Sequence, residues 1–143
     1  MINTGGRYMK APTHLNHKPI VSLDDYDKID GVNAGKSDAK ALSVGKAQWN
    51  KRELSLKVWR KKKRWSPQSE ELPIHRNLDL SILFIKTLRK GYHQQSFLVT
   101  QEQTLSLHEE NGSVQDILDY YEKNKQYLEP RMKELKRILD EWL

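Results

Sequence analysis

The chain contains no cysteine. Disulfides, thiolate nucleophiles and Cys-ligated zinc are therefore excluded. No apolar run is long enough to span a bilayer, and the start of the chain lacks the apolar core of a secretory leader. These absences set the expectation of a cytoplasmic protein with no membrane partner. Internal repeats and low-complexity tracts are missing too. So are the catalytic signatures H-E-x-x-H and G-x-S-x-G; Gly35-Lys36-Ser37 lacks the upstream glycines of a phosphate loop. His14 and His17 stand three apart, but Pro12 and Pro19 argue against the helix that would let them share a metal. The acidic run from Asp24 to Asp30 fails as a calcium loop. Counted from Asp25, Gly31 is misplaced and Lys36 falls where a bidentate glutamate is needed. No metal, cofactor or catalytic residue is assigned. His75 and Asp79 suit a base and its orienting carboxylate, but no nucleophile accompanies them.

What is present is charge. The 143 residues carry 25 Lys and Arg against 19 Asp and Glu, a formal net charge of +6. That balance favours anionic partners. Nine of the basic residues lie between Lys46 and Arg64, against Glu53 alone. The acidic segment Leu23 to Asp30 is the counterweight.

The most apolar stretch runs from Leu78 to Leu88 and covers most of a helix's circumference, the pattern of a helix buried on several sides. A central helix is expected from Pro73 to Lys90, with Pro73 in its first turn and Gly91 closing it. Before it, Leu42–Trp49 and Leu54–Trp59 alternate with period two and are separated by a turn at Asn50–Glu53. Small residues at 43, 45 and 47 mark a face that another backbone or a ligand approaches closely. Lys61–Arg64 reads as a charged hairpin tip. A second hairpin is expected from Ser96 to His108. Ser113 with Asp116 signals a helix start, and Pro130 divides the C-terminal part into two amphipathic helices. Packing on the domain is their simplest role; an oligomer seam is the sharper one.

The expected fold is α+β: a small antiparallel sheet packed on a central buried helix, with a C-terminal helical pair. Residues 1–110 form the core domain, with 1–8 loose, and residues 111–143 form the helical segment.

The start of the central helix is the best candidate site, because free N–H groups and the positive dipole end suit phosphate or carboxylate. Arg60 and Arg76 would hold phosphate, with hydroxyls from Ser66 and Ser69. Trp49, Trp59 or Trp65 would stack a base, and Glu71 or Asp79 would read a ribose hydroxyl or base edge beside His75. The competing reading is structural: Glu70 or Glu71 caps the helix, His75 pairs with Asp79, and the tryptophans are core.

The strings LSVGKAQWN (42–50), KVWR (57–60) and WSPQSEELPIHR (65–76), with Leu78-Asp79-Leu80, resemble an uncharacterised family of small bacterial and phage proteins over about residues 9–88. The resemblance supplies no chemistry to carry over and leaves the C-terminal helices outside. It does make a polar site at the helix start more attractive. In size and charge the chain is also similar to phage-type proteins that sequester nucleotide immune signals. The functional expectation is a non-catalytic binding protein for a small anionic nucleotide, possible as a homo-oligomer through its C-terminal helices. The alternatives are a nucleic-acid-binding module using the Lys51–Arg64 hairpin and a protein-interaction inhibitor.

Overall fold

The structure is a computed structural model, described here for residues 11, 16–66, 70–89, 97–98 and 105–143. Two units divide the chain, Met1–Leu78 and Asp79–Leu143. The first holds a four-stranded antiparallel meander in the order β1 (Lys18–Asp24), β2 (Ala39–Lys46), β3 (Leu54–Arg60) and β4 (Glu71–Pro73). Two short 3-10 turns, Tyr26–Lys28 and Gly31–Asn33, fill the β1–β2 connection. The tight β2–β3 turn closes with the Glu53 amide donating to the Asn50 carbonyl at 3.0 Å, as the polar break in the alternation predicts. Lys61 and Trp65 pair across the charged tip.

The two faces of the sheet invert the usual division. On the inner face β2 offers only Ala39, Ala41, Ser43 and Gly45, followed by Ala47, and all are buried. Small side chains leave the room that the indole of Trp59 on β3 fills completely, at 0% exposure. A buried tryptophan removes roughly 150–250 Å² from water, so this one ring supplies much of the core. His17 and Trp65 meet it edge-on, with ring centroids 5.7 and 6.0 Å away. Gly45 is obligatory for a separate reason: a Cβ there would stand 2.1 Å from the Lys18 carbonyl oxygen. The close approach expected of the small-residue face is thus β1's own backbone. The outer face carries the aliphatic residues, including Val21, Leu23, Leu42, Val44, Leu56 and Leu72, around a shallow groove of about 390 Å³.

The helix expected at the centre of the fold is α1 (Ile74–Leu88), and Pro73 ends β4 directly before it. The α+β class holds, but the buried centre is elsewhere. No residue of α1 is buried, and Leu78 and Leu80 are 51% and 53% exposed. Burial centres on Trp59 and His17 instead, because the meander encloses them without help from an aliphatic helix.

In the second unit, α2 is one continuous helix, Val114–Trp142, and not a pair. It passes through Pro130, whose exposed ring removes one N–H without stopping the helix. Ser113 and Asp116 form the expected capping box, with the Ser113 amide donating to the Asp116 carboxylate at 2.8 Å. Of the hairpin expected at 96–108, residues 96 and 99–104 lie outside the described part. Leu105–His108 is irregular and leads into a 3-10 turn, Glu109–Asn111. Lys90 and Gly91, the expected helix stop, also lie outside the described residues. No helix among the described residues is long and apolar enough to cross a membrane.

Candidate functional site

The meander brings four residues distant in sequence into one buried chain of hydrogen bonds. His17 precedes β1; Ser43 lies on β2, Ser55 on β3 and Glu71 on β4. The Trp59 indole N–H donates to the Ser43 hydroxyl at 2.8 Å, and that hydroxyl lies 2.9 Å from His17 Nε2. On the other side of the ring, Nδ1 lies 2.7 Å from the Ser55 hydroxyl. Ser55 in turn donates to Glu71 Oε2 at 2.7 Å. These directions fix the tautomer. Ser43, already an acceptor, donates to Nε2; Ser55, already a donor to the carboxylate, accepts from Nδ1–H. A neutral imidazole satisfies every partner, and a protonated ring would leave the Ser43 proton without an acceptor.

The electrostatics agree. His17 is 1% exposed, and burial holds its pKa below the usual 6.5 despite the neighbouring Glu71 carboxylate. For Glu71 burial acts upward, but it is outweighed. The Gln48 backbone N–H at 3.0 Å, the Ser55 hydroxyl and the Lys57 charge, beside the His17 ring, together leave the carboxyl below its usual range. Three donors converge on Oε2. The other oxygen, Oε1, is buried on a side chain only 2% exposed and receives no hydrogen bond among the described residues. Lys57, its cross-strand neighbour, stands 3.7 Å away and faces the Trp59 ring at 4.7 Å.

Glu71 also forms part of the wall of a cavity of about 610 Å³, within the range of small-molecule sites. The β2–β3 turn supplies Trp49 and Glu53, and the first turn of α1 supplies His75 and Arg76; Leu54, Pro73 and Ile74 complete the lining. Trp49 is held in place by its indole N–H, which donates to the Glu53 carboxylate. The α1 start contributes backbone N–H groups that no helical carbonyl can satisfy. Glu71, Trp49 and Arg76 therefore border one cavity, with the Glu71 side chain almost wholly enclosed and Trp49 half-exposed.

The expected site residues divide accordingly. Trp49, Glu71, His75 and Arg76 share this cavity. Arg60 is elsewhere, clamped between Glu70 and Asp38 with contacts of 2.6 Å to each. Those hydrogen bonds raise its pKa well above the usual value and hold Glu70 below its own. Trp59 and Trp65 belong to the core cluster. The Ser66 amide donates to the Arg60 carbonyl at 2.7 Å, beside that cluster. Asp79 falls in the second unit and makes no ion pair with His75. Ser69 lies outside the described residues. Among the described residues no group of acidic and histidine side chains could hold a metal. Sequence reasoning missed His17, Ser43 and Ser55. The one available signal was the run of small residues on β2, which marks the face that encloses them.

Residues 9–143 match a family of unknown function, DUF6530. The match extends through α2, beyond the stretch to residue 88 that carries the sequence resemblance. No curated protein and no solved structure matches the chain.

Proposed function

The chain belongs to a family of unknown function, and we propose from its cavity that it is a non-catalytic binding protein for a small anionic nucleotide. The supporting observation is Glu71 Oε1, a buried carboxylate oxygen without a hydrogen bond among the described residues, on a residue that lines the same cavity as Trp49 and Arg76. A buried acceptor left unmatched costs about 1–3 kcal/mol, and a ligand that brings a donor recovers it. Because the Glu71 carboxyl is held below its usual range, it calls for an N–H, amine or hydroxyl donor and not a carbonyl. Arg76 and the α1 amides take the phosphate. Trp49 stacks the base. With two carboxylates in the wall, a purely anionic ligand is disfavoured. A nucleotide whose base has an exocyclic amine meets both demands.

Binding without turnover is favoured by the state of the polar groups. Ser43, His17 and Glu71 occur in the order of a hydrolase triad, but Ser43 and His17 are buried and their hydrogen bonds are internal. The biological role that fits is sequestration of a nucleotide signal, as in phage-type sponges. Titration calorimetry with adenosine, cytidine and uridine monophosphates and cyclic dinucleotides tests the site. Arg76→Ala is expected to weaken binding at least tenfold for every nucleotide; Glu71→Gln is expected to weaken only the amine-bearing ones. Unchanged affinity in Arg76→Ala would show the site assignment to be wrong.

The second reading, a nucleic-acid module, draws on the exposed Lys62, Lys63 and Arg64 at the tip beside Trp65, over which Lys61 lies at 5.2 Å. It predicts affinity that falls steeply with salt, with a log–log slope of roughly −2 to −3 for three phosphate contacts. Binding in the cavity predicts a shallow slope and saturation at a fixed stoichiometry.

A further inference from the structure

We infer that the ligand of the cavity is a single-stranded nucleic acid, with one base on Trp49 and the neighbouring phosphates on Arg76 and on the cations of the β2–β3 turn. The inference rests on the reading of Trp49 as a base platform and Arg76 as a phosphate ligand. It names the ligand class: a nucleotide held within a phosphodiester chain.

The basic run of the sequence is not one surface. Between Lys46 and Arg64 lie nine Lys and Arg, and β3 sorts them. Its seven residues span roughly 20 Å. Lys51 and Arg52 stay in the turn before it, and Lys62, Lys63 and Arg64 are carried to the tip after it. In between, Lys57 faces Glu71, and Arg60 is held by Asp38 and Glu70. The turn end adjoins the cavity. Lys51 and Arg52 fall between Trp49 and Glu53, both in its wall, and Lys46 pairs across the sheet with Leu54, a third wall residue.

These turn cations are exposed and uncommitted. The bases of α2 at Lys125, Lys133, Lys136 and Arg137 each have a carboxylate partner, whereas Lys51, Arg52 and Arg76 have none among the described residues. Glu53, the acid of the turn, is engaged by the Trp49 indole N–H, which holds the ring in place.

Two elements thus supply cations to one cavity: the first turn of α1 through Arg76, and the β2–β3 turn through Lys51 and Arg52. A nucleoside monophosphate presents one phosphate and satisfies one of them. A nucleotide inside a chain carries a phosphodiester on each side of its sugar and satisfies both, and each added contact releases counterions. The indole is 45% exposed. Its face takes a base that is free of its neighbours, as in a single strand, and not one stacked inside a duplex.

The test uses the full chain and four probes: adenosine monophosphate, adenosine triphosphate, a fluorescein-labelled oligodeoxyadenylate of twelve residues, and that strand in a duplex. Anisotropy and competition are expected to show the single strand binding at least tenfold more tightly than the other three. Its log–log salt slope is expected to be about −2, for three phosphate contacts. Lys51→Ala/Arg52→Ala is expected to weaken the strand at least fivefold and the monophosphate less than twofold; Lys62→Ala/Lys63→Ala at the tip is expected to leave both unchanged. A strand no tighter than the monophosphate overturns this inference and leaves the nucleotide reading standing. If neither binds, both fall. Equal affinity for the triphosphate or the duplex, or loss in the tip variant and not in the turn variant, would also overturn it. Tryptophan emission gives a check independent of the turn variants. The strand is expected to quench the wild type and Trp142→Phe but not Trp49→Phe, and quenching undiminished in Trp49→Phe contradicts the inference.

Discussion

His17 Nδ1 lies 2.7 Å from the hydroxyl of Ser55, a residue 38 positions away in the chain. This contact ties the segment before β1 to β3, and through Ser55 to the carboxylate of Glu71. It also sets the ionisation states on which the candidate site depends.

The two serines of this chain are not equivalent. Ser43→Ala deprives both the Trp59 indole N–H and His17 Nε2 of their partner. Ser55→Ala leaves Nδ1–H within 3.4 Å of Glu71 Oε2, which also keeps the Gln48 amide. Ser43→Ala is expected to cost about 1–3 kcal/mol, and Ser55→Ala less. Urea denaturation of the two variants measures the difference.

Acid destabilises through His17 before it reaches the carboxylates. The folded pKa of His17 is lowered, so below the usual 6.5 the unfolded chain binds the proton first. Stability from this group is fully present above pH 6.5 and is lost as pH falls from there through the lowered folded value. Glu71, also lowered, adds a second loss as pH falls below its usual 4.5. Thermal melts from pH 8 to 3 are expected to show both declines, and His17→Asn is expected to flatten the first while sparing the second.

Gly45→Ala is expected to destabilise by at least about 1–3 kcal/mol, the usual cost of overpacking. The added Cβ meets backbone, at Lys18 and Pro19, and not a side chain that can swing away. A lowered urea midpoint with an unchanged slope checks this.

Pro130→Ala is expected to stabilise. Proline in a helix interior costs about 3 kcal/mol relative to alanine, and here it is exposed and inside an unbroken helix. Melting followed by circular dichroism at 222 nm is expected to shift upward.

Local features were legible in the sequence where their cause is local. The Asn50–Glu53 turn and the Ser113–Asp116 capping box each follow from residues near one another, and the small residues around Gly45 signalled a close approach without identifying Lys18 of β1 as its source. The location of the core was not legible. An apolar run around Leu83 reads as buried, yet α1 has no buried residue, whereas small residues of low hydrophobicity on β2 enclose Trp59. Pro130 reads as a break because the sequence does not reveal that a helix will tolerate one missing N–H on its exposed side. At the site, Trp49, Glu71, His75 and Arg76 were recognisable as polar and aromatic candidates around one helix start. The His17–Ser43–Ser55 chain was not. It depends on strand register, joining residues 26, 38 and 54 positions apart, and period-two alternation does not specify which strands pair.

The most direct test of the proposed function is a depletion-and-release assay. The purified protein is mixed with a panel of linear and cyclic nucleotides and filtered. The filtrate is read by chromatography, and the retained protein is then heat-denatured and its contents read again. An amine-bearing nucleotide that disappears from the filtrate and returns intact, and that Arg76→Ala fails to deplete, is the predicted result. A panel that passes through undepleted, or a nucleotide that returns chemically altered, would contradict non-catalytic nucleotide binding.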